Sequence, residues 1–422
     1  MNFKLRDYIL PSVISMLIVG TNANVDGIFI GKMLGDDGLA AINIVWPIFA
    51  LTVAVGTGVG VGGSVILNEL RGEKANNEAE IVKNTTIILT LMLGVAITLI
   101  LLLCCPMLLK ALGADGNVLR LAENYAFVIA CGSLCQVFAS SILVILRNDG
   151  KTYESMILSV LGLVLHIVLD ILLAKRFKMY GVAAATVVSQ LVVAFFGFCL
   201  AKIKKEVGMD YAKSFEILRA ATAPFGLNFV PSFVLLFTNY FALKCGGVNA
   251  VSAYALMCYV VYTFDYIFQG VCDGVQPIIS YCSGAKDDRQ ERKALKWSAG
   301  IVLTLSIIFA LITPFIIKGM LSFFEVSGET KSMFKIGLIM LTLSYPFKSA
   351  VKFCCSYFYA VNNAIMSNIL VFCDPVLLTP LLLAVLSHIS GINGVWFAMP
   401  VSQIIITLIG IFMLKKTIKY KN

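Results

Sequence analysis

Seven charged residues sit inside long apolar runs of this 422-residue chain: Asp26, Asp170, Asp265, Asp273, Lys348, Lys352 and Asp374. Placing such a group in a bilayer costs about 2.5–3.5 kcal/mol on insertion scales, so each is a functional candidate. The first half holds only acids. Asp26 and Asp170 each lie about one and a half helical turns from the outer end of their runs, and so at one depth. Asn22 precedes Asp26 by four residues and His166 precedes Asp170 by four, so each pair shares a helix face. Thr186, in the following run, reaches the same level. Two nearby carboxylates in low dielectric cannot both stay ionised unless they take up a proton or a cation. That is the chemistry of an ion-coupled carrier. A purely structural role, with both acids bonding backbone or neighbouring helices, explains the matched depth less well.

In the second half, Asp265, Gln269 and Asp273 recur at four-residue spacing, as do Lys348 and Lys352, and Asp374 precedes Pro375. Three acids and two bases can neutralise one another. The favoured reading is an internal salt-bridge network, and the alternative is a substrate-contacting or coupling site.

The elements that must hold these residues are membrane helices. Hydrophobic residues make up 59% of the chain and charged residues 14%, and mean hydropathy is +0.90. A span needs about 20 apolar residues. Twelve runs qualify, at 8–32, 39–68, 82–109, 121–146, 154–175, 180–201, 216–244, 249–281, 295–318, 333–360, 365–388 and 391–414. Barrel strands would be shorter and alternating, so the fold class is an all-α integral membrane bundle. Most of the 12 cysteines fall within these runs, where they read as small apolar filler.

No nucleotide-binding Gly-x-x-x-x-Gly-Lys-Ser/Thr run occurs. The glycine-rich stretch Gly56–Gly63 lacks the lysine and reads as close helix packing. With two histidines and no nucleophile elbow or metal-cluster spacing, the chain reads as a carrier and not an enzyme, with no cofactor and no structural metal.

The chain also repeats itself. Gly62-Gly63-Ser64-Val65-Ile66-Leu67 overlies Gly274-Val275-Gln276-Pro277-Ile278-Ile279 at an offset of 212, and Gly181-Val182 overlies Gly394-Val395 at 213. Six spans per half is an even number, so the halves are parallel repeats. The division is residues 1–201, a linker at 202–215, and residues 216–422, forming two lobes around a central cleft. Lysines and arginines fall roughly two to one on the side of both termini, which the positive-inside rule makes cytoplasmic. The net charge of +9 follows from this topology, so no nucleic-acid partner is implied. The expected partners are the lipid bilayer and a small-molecule substrate, with a monomeric chain.

These residues resemble the multidrug and toxic compound extrusion (MATE) transporters, in particular the bacterial branch that exports drugs. The resemblance rests on Asn24-Val-Asp-Gly-Ile-Phe-Ile-Gly31 with Leu39-Ala-Ala41, the Arg71-Gly72 turn, Gly274-Val-Gln-Pro-Ile-Ile-Ser280 with Gly284-Ala285, Asp170, and Gly181-Val-Ala-Ala-Ala-Thr186. It implies export of organic cations against inward Na⁺ or H⁺ flow. The family's first-lobe cation site then falls on Asp26, His166, Asp170 and Thr186. His166 stands where the family usually has asparagine. Na⁺ prefers oxygen ligands, so this departure tilts the expected coupling ion from Na⁺ at Asp26, Asp170 and Thr186 toward H⁺. A flippase for lipid-linked or anionic metabolites, on a related two-lobed fold, is the rival reading and would need a strongly cationic cleft.

Overall fold

The computed structural model describes residues 4–202, 209–323 and 328–420, and within them all side chains but those of 22–24, 36, 322–323 and 418–420. Asn22, named above as a site residue, thus lies outside the described residues. Every regular element among the described residues is helical. The first lobe comprises α1 (Leu5–Gly35), α2 (Asp37–Gly72), α3 (Asn76–Ala111), α4 (116–148), α5 (152–177) and α6 (179–201). The second comprises α7 (211–246), α8 (248–284), α9 (Asp288–Phe323), α10 (328–360), α11 (364–390) and α12 (392–420). Most run past their apolar segments at one or both ends, as in α2 and α3.

The repeat is written in the backbone. α1 turns into α2 at Gly35 (φ 63°, ψ −146°), and α7 into α8 at Gly247 (φ 66°, ψ −161°), 212 positions on. α4 breaks at Gly132 with a 57° bend, and α10 breaks at Ser344, again 212 on. The turn at Lys178 (φ 49°, ψ −126°) matches Gly391 (φ 57°, ψ −132°), now 213 on. Glycine suits these left-handed turns, and Lys178 holds its conformation at a cost of about 1–2 kcal/mol. The offset changes from 212 to 213 between the turns at Gly150 and Asn362 and those at Lys178 and Gly391. Within that interval α11 contains a π-helical turn, Asp374–Leu378. A π turn takes up one extra residue without ending the helix. The second lobe's inserted residue is therefore stored beside Asp374.

Glycines at equivalent positions bring the lobes together on the side where the chain begins, the basal side. A Cβ at Gly62 would stand 2.7 Å from the backbone of Ala221 on α7, and one at Gly274 would stand 2.7 Å from Ile9 on α1. Gly58 and Gly270 abut Phe225 and Val13 in the same way. At the basal tips, Gly72 lies against the backbone of Tyr281 and Ala285, and Gly284 against that of Glu69. Small residues allow such approach where lipid gives no hydrophobic drive to helix pairing. Elsewhere the bundle shows large apolar side chains outward, among them Leu103, Met107 and Phe315, each more than three-quarters exposed.

Two sequence expectations need correction. The sequence puts the linker at 202–215, whereas α7 begins at Tyr211, because Asp210 Oδ1 accepts from the amides of Ala212 (2.8 Å) and Lys213 (3.3 Å) and caps the helix. Nor are the cysteines uniformly core filler. Cys105, Cys272, Cys282, Cys354 and Cys355 are buried, whereas Cys104, Cys131 and Cys199 face outward on the bundle surface.

Candidate cation-coupling site and substrate cavity

Four helices of the first lobe converge on Asp26. The α1 residue is buried, and His166 Nε2 on α5 lies 2.8 Å from its Oδ1. One turn further along α5, Asp170 Oδ2 is 3.3 Å from the same nitrogen. Thr186 Oγ1 on α6 stands 3.1 Å from His166 Nε2 and donates to Asp26 Oδ2 at 3.3 Å. The two carboxylates thus share one imidazole. The ligand atoms of Asp26, His166 and Asp170 all lie within 4.8 Å of one another, a spacing that fits a bound proton or a small cation.

Tyr125 on α4 completes the group by donating its hydroxyl to Asp26. Tyrosines are common in such bundles, and the spacing of Tyr125 in α4 carries no sign of a partner on α1. Asp26 Oδ1 and both Asp170 oxygens are buried without an aligned hydrogen bond from any described residue, although the imidazole nitrogen approaches to 2.8 Å and 3.3 Å. Buried acceptors of this kind need a proton, a cation or water.

Trp46 and Phe49 of α2, with ring centroids 5.5 Å apart, form a wall of this pocket and also of a cavity between the lobes. That interlobe cavity offers about 80 Å³ to water and opens outward at its mouth. Its far wall is second-lobe: Tyr262, Asp265, Tyr266 and Gln269 of α8, with Lys352 of α10.

Four of the five second-lobe charges are linked through Gln269, and Asp374 stands apart. Asp265 takes both lysines, Lys348 Nζ at 3.3 Å and Lys352 Nζ at 2.9 Å. Lys352 also donates to the Asp265 carbonyl (3.3 Å) and to Gln269 Oε1 (3.4 Å). Asp273 pairs instead across the lobe boundary with Arg147 of α4 (3.4 Å) and accepts from Gln269 Nε2 (2.8 Å). Asp374 is bonded by Gln403 Nε2 (2.6 Å) and Thr379 Oγ1 (2.9 Å), with no lysine in ion-pair range among the described residues. Depth along a helix predicted who shares a level; it did not predict which way each side chain faces.

The repeat does not duplicate these residues. The positions 212 or 213 residues after Asp26, Tyr125, His166, Asp170 and Thr186 hold Thr238, Gly337, Thr379, Leu383 and Met399. The backbone is symmetric and the chemistry is not.

The MatE family model matches the chain twice, over residues 11–172 and 225–384. The chain belongs to the MatE family. The multidrug export protein MepA of Staphylococcus aureus (strain N315) is 26% identical to this MatE protein over 312 residues, covering 71% of this chain and 69% of its own length. The protein of the same name from Staphylococcus saprophyticus is 25% identical over 312 residues, covering 71% and 68%. Among solved structures, an outward-facing multidrug resistance MATE transporter superposes with a TM-score of 0.90 at 22% identity, covering 99% of this chain and 96% of its own. A Pyrococcus furiosus transporter, described as having a binding pocket of reversed polarity, superposes at 0.92 with the same identity and coverage. These two show the fold. A MatE protein of this kind is a multi-pass membrane transporter acting on small molecules, and not an enzyme.

Proposed function

We propose that this MatE protein exports small amphipathic molecules carrying a positive charge, driven by inward H⁺ flow through the Asp26–His166–Asp170 cluster. The observation that carries the reading is the position of His166 Nε2, between both carboxylates and within 3.1 Å of Thr186. The imidazole occupies the space where a hard cation would need oxygen ligands. A nitrogen that binds a proton between two acids suits H⁺ better than Na⁺.

The basal side is the cytoplasmic side on the excess of lysine and arginine there. The lobes, residues 1–201 and 216–422, rock about the glycine contacts, which hold the cytoplasmic side closed in the arrangement described here. Protonation of the first-lobe cluster and occupation of the interlobe cavity favour opposite states; without such a difference in affinity neither ligand would shift the equilibrium. Trp46 and Phe49, shared by both pockets, are the contact through which one is felt at the other. The setting we assign is a bacterial inner membrane, with the chain acting as a monomer. The flippase reading has no strongly cationic cleft to support it, since both second-lobe lysines are held by Asp265.

The test is proton exchange on substrate binding. Adding an amphipathic cation to the purified protein in weakly buffered solution should release protons. Asp170→Asn should abolish the release while substrate still binds. Release unchanged in that variant would remove Asp170 from the reading.

A further inference from the structure

The two lysines that hold Asp265 are not equally occupied. Lys352 has three acceptors around its ammonium: Asp265 Oδ2, the Asp265 carbonyl and Gln269 Oε1. Lys348 reaches Asp265 Oδ1 at 3.3 Å and lies 5.9 Å from the centre of the Tyr262 ring. Among the described residues no hydrogen bond to Asp265 Oδ1 is made, although that oxygen is buried. The Asp265–Lys348 pair is therefore a loose one, and both its members line the same second-lobe cavity. The π turn places Asp374 on that cavity too, its oxygens already committed to Gln403 and Thr379.

Consider what such a pair accepts. A purely cationic ligand that takes Asp265 leaves the ammonium of Lys348 buried with no counter-charge, which is strongly unfavourable. A purely anionic ligand that takes Lys348 leaves Asp265 to Lys352 alone and uses only one member of the pair. A ligand carrying both charges opens the pair and closes two new ones, its amine on Asp265 and its acid on Lys348. The count of buried charges then balances at every stage. The aromatic faces of Tyr262 and Tyr266 beside Asp265 suit the apolar body and the amine end.

We propose that the Asp265–Lys348 pair is a subsite for dipolar amphipathic substrates, with an amine and a carboxylate or similar acid in one molecule, and that Lys348 selects for the acid group. This rests on the export reading and narrows it: the positive charge of the substrate is accompanied by a negative one.

Nα-dansyl-lysine and dansylcadaverine share a dye and an amine and differ by one carboxylate, which makes them the probes. In proteoliposomes with an imposed ion gradient, uphill movement of Nα-dansyl-lysine should exceed that of dansylcadaverine about tenfold, the effect of roughly one well-placed charge contact. Lys348→Gln should level the two rates, and Lys348→Arg should restore the preference, showing that a loss in the glutamine variant is not misfolding. Equal export of both probes by the natural protein, or a preference that survives Lys348→Gln, overturns the subsite. Movement of neither probe under any gradient rejects instead the export reading on which it rests.

Discussion

Arg147 and Asp273, buried on facing lobes, meet at 3.4 Å and tie α4 to α8 below the central cavity. Arg147 lies within its helix and Asp273 in the run Gly270–Gly274 that packs on α1, so the pair is made where the basal ends of the lobes meet. Removing one partner of a buried pair strands the other, at a cost of about 3 kcal/mol. Arg147→Ala should therefore loosen the closed arrangement, read as faster alkylation of a cysteine introduced at Ser280. Adding Asp273→Asn should recover much of the loss, because no bare charge then remains. Equal alkylation in all three proteins would show that the pair does not act as a latch.

The basal glycines make a second prediction. A Cβ at Gly284 would meet the backbone of Glu69, which cannot give way as a side chain could. Gly284→Ala should lower stability by about 1–3 kcal/mol, the usual cost of overpacking, and should slow transport. Gly300→Ala on α9 is the control, since nothing lies within 4 Å of the added carbon and alanine favours the helix. Thermal unfolding of both variants in detergent compares them, and a Gly284→Ala protein as stable as Gly300→Ala would argue against a tight lobe contact.

How much of this was legible in the sequence depends on whether the information was local or paired. The twelve spans, the repeat and the matched depth of Asp26 and Asp170 follow from periodicity and length, which act along one helix. The shift of the repeat from 212 to 213 was visible as an offset, but its storage as a π turn at Asp374 was not. Facing is the missing quantity. Asp273 and Lys352 share α8–α10 depth in sequence, yet Asp273 turns to Arg147 of the other lobe and Lys352 to Asp265. Tyr125 and Arg147 escaped notice because each finds its partner through tertiary packing over about a hundred residues of chain or more.

Tyr125 gives a third prediction. Its hydroxyl donates to Asp26, and a hydrogen bond to a charged group contributes about 1.5–3 kcal/mol. Tyr125→Phe keeps the ring packed and removes only that donor. The pH dependence of substrate-driven proton release should move up by about one unit, since roughly 1.4 kcal/mol is a tenfold change in a binding constant. An unshifted pH dependence would leave Tyr125 as packing.

His166 separates the two candidate ions. Asparagine there returns an amide oxygen to the cluster and removes the nitrogen that lies between Asp26 and Asp170. His166→Asn should raise the Na⁺ dependence of export relative to its H⁺ dependence. An unchanged ion preference would make the histidine a structural residue.

The most direct test of the central claim is substrate flux in proteoliposomes with H⁺ and Na⁺ gradients imposed independently. The account predicts uphill movement of an amphipathic amine driven by an H⁺ gradient alone, little response to Na⁺ alone, and loss of the driven component in Asp170→Asn while the protein remains folded, because a neutral amide costs less to bury than a carboxylate. Uphill movement that follows Na⁺ and ignores H⁺, or that persists in Asp170→Asn, would contradict it.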